Sequence, residues 1–161
     1  MAAVIIYMSR HGCAEKAARM LAGMHWKKVE MINLRDKHPP PLSGYDTIII
    51  GGSVHMGRIQ EKIRKFCSDN EADLLRKRLG LYLCHMCEGD KAASQFKGAF
   101  SEKLRDHAVA KGLFGGEFTL EKMNRAEREL ISSSGVDKSV SHLDKKAIEG
   151  FGRVIFHLDK S

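Results

Sequence analysis

Apolar residues along this chain fall into two alternating rhythms. Continuous runs of branched and aromatic residues read as strands: one over about 2–8 around Ala3-Val4-Ile5-Ile6-Tyr7, then Val29-Glu30-Met31-Ile32-Asn33-Leu34, Thr47-Ile48-Ile49-Ile50-Gly51-Gly52 and Leu79-Gly80-Leu81-Tyr82-Leu83-Cys84. Between them apolar positions return every three or four residues, the spacing of one helix face. Ala14, Ala17, Ala18 and Leu21 mark a helix over about 13–25, and Ile59, Ile63, Phe66 and Cys67 mark a second, followed by a short helical turn around 71–78. Phe96, Phe100 and Leu104 share the stripe of a third helix, and the Gly-rich run Ala110 to Phe118 is expected as a fifth strand. A polar helix around 120–132 and a Ser/Gly turn at 133–135 come next. A last helix then carries Leu143, Ala147, Phe151, Val154, Ile155 and Leu158 on its core stripe.

Strands without polar alternation are those of a parallel sheet buried on both faces, and parallel strands need crossover segments that cover those faces. The pattern therefore predicts an α/β fold, a three-layer doubly wound five-stranded parallel sheet in the order 2-1-3-4-5, formed by residues 1–161 as a single domain. In such sheets ligands bind outside the carboxyl ends of the strands where the order reverses, here between strands 1 and 3. The three prolines stand together at 39–41, in a polar connection from Arg35 to Tyr45 that leads into strand 3.

Charge narrows the partners. A net charge of +7 favours anionic ones: a phosphate-bearing cofactor, an acidic substrate, anionic lipid or nucleic acid. Nucleic acid fits least, because aromatics make up only 7% of the chain and cations are interleaved with acids, as in Glu61-Lys62-Ile63-Arg64-Lys65. No apolar run approaches the ~20 residues that span a bilayer, and no leader pattern opens the chain, so a cytoplasmic location is expected. The four cysteines are too irregularly spaced for a disulfide framework and are expected as thiols.

Three loops should meet at one edge of the sheet. Ser9-Arg10-His11-Gly12-Cys13-Ala14 joins strand 1 to helix 1. There the first helical N–H groups point outward at the positive end of the dipole, Ser9 offers a hydroxyl, and Gly12 permits close backbone approach to a phosphate. The loop after strand 3, Gly51-Gly52-Ser53-Val54-His55-Met56-Gly57-Arg58, places a flat and a polarizable side chain at its tip, suited to lie against a heteroaromatic ring. The loop after strand 4, Cys84-His85-Met86-Cys87-Glu88-Gly89-Asp90, contains a C-x-x-C pair that could share a disulfide or an ion, or simply line a ligand. The first two segments are also compatible with an ordinary turn. The eight histidines show no clustered metal spacing, and neither G-x-x-x-x-G-K-[ST] nor G-x-G-x-x-G is present, which favours a phosphate monoester over a triphosphate or dinucleotide.

Ile5-Ile6-Tyr7-Met8-Ser9-Arg10-His11-Gly12 and Tyr45-Asp46-Thr47-Ile48-Ile49-Ile50-Gly51-Gly52-Ser53-Val54-His55-Met56-Gly57 resemble the flavodoxin-like superfamily, most closely its menaquinone-dependent protoporphyrinogen oxidases. The resemblance implies FMN, with its phosphate on Ser9, Arg10, His11, Gly12, Cys13 and Ala14. Its ring would lie between two segments, Gly52, Ser53, Val54, His55, Met56 and Gly57 on one side and Cys84, His85, Met86, Cys87 and Glu88 on the other. It further implies a quinone-linked oxidoreductase with a redox partner protein or quinone, a small-molecule substrate, and peripheral contact with the inner membrane face. Members of that family carry a hydroxyl residue where this chain has Cys13 or Ala14, and their segment after strand 5 is longer and richer in aromatics than 119–140 here. Two other functions use the same fold. One is a non-enzymatic electron carrier, though such carriers are usually acidic; the other is a binding module with a degraded flavin site. No residue stands out as an acid or base catalyst.

Overall fold

The structure, a computed structural model, describes residues 2–9, 12–25, 27–55, 58–85, 90–115, 117–118, 140–141 and 143–157. Five parallel strands form the sheet: β1 (Ala3–Tyr7), β2 (Glu30–Asn33), β3 (Thr47–His55), β5 (Arg78–Cys84) and β6 (Ala110–Leu113), in the order β2-β1-β3-β5-β6. This is the order expected from sequence, with the numbering advanced by one after β3. A two-residue strand, β4 (Arg58–Ile59), folds back antiparallel on the end of β3.

Every residue of β1 is buried, as a run without polar alternation requires. Its side chains divide between two cores. Ile5 and Tyr7 face α1 (Cys13–Met24) and α6 (Lys145–Ile155), with Ile49, Tyr82, Phe114 and Phe151. Val4 and Ile6 face α2 (Glu61–Asp69), α3 (Glu71–Leu74), α4 (Asp90–Ala99) and α5 (Glu102–His107), with Ile48, Ile50, Phe66 and Phe96. Tyr82 crosses from β5 over Gly51. A Cβ there would stand 1.9 Å from the ring, so only glycine permits this crossing.

Four sequence expectations change. Strand 3 runs three residues further, to His55, because the β4 hairpin supplies antiparallel pairing beyond the parallel ladder; Ile59 thus lies on β4 rather than on the helix. The third helix is two helices, broken where the Ser101 hydroxyl accepts from the Leu104 N–H at 3.3 Å and caps α5. The fifth strand stops at Leu113; Gly115 turns left-handed (φ 74°), and Glu117–Phe118 (β7) pairs instead with Val140–Ser141 (β8). On α6 the buried stripe includes Ile148, whereas Val154 is 45% exposed. The helix expected at 120–132, the turn at 133–135 and Leu158 lie outside the described residues. Among the described residues no helix is long and apolar enough to cross a membrane.

Candidate functional site

The turn from β1 to α1 is built around Ser9 and Gly12. Ser9 is buried, and its Oγ accepts from the Gly12 N–H at 2.9 Å; Gly12 adopts a left-handed φ of 93° that a Cβ would strain. Among the described residues no side chain caps the helix, so the N–H groups at its start remain available to an external acceptor. Because the Ser9 oxygen is the acceptor in that bond, its own proton is not used in it.

The first turn is anchored from below. The Tyr82 hydroxyl donates to the Ala14 carbonyl at 2.8 Å, and complete burial pushes its phenol well up, keeping it a neutral donor. Tyr7 reaches Glu15 at 3.4 Å, and its phenol is also raised, by burial and by that carboxylate.

Two residues outside the expected set join the switch-point strands. Gln60, immediately before α2, accepts from the Ser53 N–H through Oε1 at 2.8 Å and donates from Nε2 to the Met8 carbonyl at 3.0 Å. Asn33, at the end of β2, accepts through Oδ1 from the Ser9 N–H at 3.3 Å and from the Arg35 N–H at 3.1 Å. Neither belongs to a motif. Asn33 had one signal in sequence, a polar residue near the end of an apolar run; Gln60 had none.

The cysteines turn inward. Cys13 is buried with Sγ 3.8 Å from the Gly115 carbonyl, so its thiol packs beneath the turn. Cys84 is buried in the same cluster as Cys13 and lies in register with Ser53 on the neighbouring strand. The neighbouring Cys13 thiol, followed by burial, pushes the Cys84 thiol well up, although Ser53 acts in the opposite direction. The loops after β1, β3 and β5 therefore meet at these side chains. His85 is buried too: its N–H donates to the Gly115 carbonyl at 2.7 Å, and its Nε2 lies 3.4 Å from the Gly115 N–H. Gly52 ends the expected part of β3, Ser53 and Val54 lie on its extension, and His55 is paired with Arg58. Arg10, His11, Met56, Gly57, Met86, Cys87 and Glu88 lie outside the described residues, and with Cys87 so does the C-x-x-C pairing.

Residues 4–137 match a family described as the flavodoxin domain. The chain belongs to that family. FMN is the cofactor that membership assigns, and the helix start without a side-chain cap, left-handed Gly12 and the hydroxyl of Ser9 fit a phosphate monoester.

Solved structures agree with this flavodoxin domain in fold. Oxidised flavodoxin 1 from Bacillus cereus is 19% identical, with a TM-score of 0.58 over 100% of both chains. Two-electron reduced Megasphaera elsdenii flavodoxin is 17% identical, with a TM-score of 0.55 over 69% of this chain and 84% of its own. Rubredoxin oxygen:oxidoreductase from Desulfovibrio gigas is 16% identical, with a TM-score of 0.58 over 98% of this chain but only 35% of the larger protein. No curated protein matches the chain.

Proposed function

We propose that this flavodoxin domain, as one domain over 1–161, is an FMN-dependent oxidoreductase of the quinone-linked protoporphyrinogen oxidase type. The observation that carries the cofactor part is the juxtaposition of the β1–α1 turn and the β3 hairpin, held together by Gln60 across the point where strand order reverses. The oxidase part rests on the likeness of the stretch from Tyr45 to Gly57 to that family. When bound, FMN supplies a ring that accepts and passes on electrons.

The protein's work is to hold and surround that group. Ser9 would hold the phosphate through its hydroxyl and Cys13 and Ala14 through their backbone N–H groups, while the Gly12 N–H is committed to Ser9 Oγ and its left-handed φ shapes the turn; for Cys13 the backbone matters because its thiol is turned inward. The segments Gly52 to Gly57 and Cys84 to Glu88 border the ring. The Ser53 N–H is committed to Gln60, which leaves the hairpin beyond Ser53 to contact the ring edge. A redox protein or a quinone is the partner, with contact at the inner membrane face and a small-molecule substrate.

A second reading is electron carriage without a substrate, which the Bacillus cereus and Megasphaera elsdenii flavodoxins favour by their names. Absorbance of the purified protein before and after addition of FMN tests the cofactor. Steady-state turnover with a menaquinone analogue and protoporphyrinogen then separates the readings. Turnover supports the oxidase; reduction and reoxidation by a protein partner with no porphyrinogen consumption supports the carrier; failure to bind FMN overturns both.

A further inference from the structure

The crossover from β2 to β3 is made without an α-helix. Between Asn33 and Thr47 the chain passes through Pro39-Pro40-Pro41 and a 3-10 turn at Leu42–Gly44, where a parallel connection normally lays down a helix. Beside α2 this leaves a cavity of about 420 Å³ with Leu34 and Phe66, both buried, among its walls. Its rim carries Arg35, Lys37, Lys62 and Lys65 against Asp36 and Asp69, all six exposed. Lys62 Nζ stands 3.4 Å from the Leu34 carbonyl. Among the described residues none of these four cations is in an ion pair, so the groove keeps a net positive field over an apolar floor.

This groove adjoins the candidate cofactor site on both sides. Asn33 bonds the Ser9 N–H of the cradle and the Arg35 N–H of the groove rim with one oxygen. The opposite wall is α2, which starts from Gln60 on the Met8 carbonyl.

We propose that the groove receives an acidic segment of a partner protein, with carboxylates on the Arg/Lys rim and an apolar side chain over Phe66. The inference goes beyond the oxidoreductase reading and does not depend on it. Other anions fit less well. A phosphodiester chain would meet Asp36 and Asp69 and leave the apolar floor unused. A flat lipid surface does not enter a concave site, and the large apolar side chains most exposed among the described residues, Val109 and Val154, are not on the groove. A lone phosphate would fill a small part of the volume. A peptide of mixed acidic and apolar residues matches both the rim and the floor.

A fluorescein-labelled alternating Glu-Leu dodecapeptide, titrated against the full chain with and without added FMN, tests this by anisotropy. Lys62→Glu with Lys65→Glu is expected to weaken binding about tenfold or more, and about 1 M salt to abolish it. Lys145→Glu with Lys146→Glu, on α6 across the sheet, changes net charge equally and is expected to alter binding by less than about twofold. Equal losses in the two variants, or no binding by the unmodified chain, would overturn the proposal. So would phosphatidylglycerol vesicles bound through Lys62 and Lys65 in place of the peptide, which would assign the groove to lipid. Displacement by inorganic phosphate at concentrations similar to the peptide would make it a small-anion site. Because binding is read with and without FMN, loss of the cofactor reading and loss of this one are separately visible.

Discussion

The Gln60 side chain donates to the Met8 carbonyl at 3.0 Å, joining the start of α2 to the end of β1. Its other end takes the Ser53 N–H. One amide thereby sets the spacing between the two loops that should hold opposite ends of the cofactor.

Gln60→Ala removes both bonds and leaves a carbonyl and an N–H to find water, at a cost of about 1–3 kcal/mol. Unfolding by urea should show that loss, and FMN affinity measured by fluorescence quenching should fall with it. Gln60→Glu keeps the acceptor for Ser53 but not the donor for Met8. It is expected to fall between the two.

Ser9→Ala removes the acceptor for the Gly12 N–H and the hydroxyl proton left to the phosphate. FMN should bind roughly tenfold more weakly, at about 1 kcal/mol or more per lost bond, with a much smaller change for riboflavin. Paired titrations with the two ligands check this; equal losses would place the phosphate elsewhere.

Gly51→Ala drives a methyl into the Tyr82 ring at 1.9 Å and displaces the hydroxyl that holds Ala14. A loss of about 2 kcal/mol or more is expected from overpacking. Tyr82→Phe keeps the ring and deletes only the bond to Ala14, with an expected cost of about 1–2 kcal/mol. Equilibrium denaturation of both variants separates the packing effect from the anchor.

Alkaline pH should weaken the fold in two stages. Burial, with Glu71 nearby, pushes the Cys67 thiol from its ordinary 9.0 up to about 12. The folded protein thus favours the neutral thiol, so its contribution is intact below pH 9 and fades as pH rises toward 12. The loss is about 1 kcal/mol between pH 9 and 10. Tyr45, whose hydroxyl donates to Glu30 at 2.6 Å and whose phenol is pushed from 10.0 up to about 12, adds a second decline between those values. Cys67→Ala should shrink the first stage, to which the raised Cys84 thiol also contributes, and leave the second, as read from melting temperature against pH.

Strand order was legible because β1, β3 and β5 are runs that only a doubly covered parallel sheet can bury. Helix faces were mostly legible through their apolar spacing. The third helix was misread because Phe96, Phe100 and Leu104 keep that spacing across the break at Ser101, so periodicity alone does not reveal the cap. Ser9 and Gly12 could be placed because strand, glycine and helix follow one another within a few residues. Gln60 could not, since its two partners lie 7 and 52 residues away.

Local apolar pattern by itself determined the strands, their parallel order and the edge of the sheet where a phosphate-bearing cofactor belongs. Tertiary structure alone decided which groups face that edge. It turned the Cys13 and Cys84 thiols inward, brought Gln60 and Asn33 to the cradle, and left a charged groove where a crossover helix would lie. Burial pattern is written into neighbouring residues of one segment. Hydrogen-bond partners come from segments that are distant in sequence and meet only once the sheet has formed.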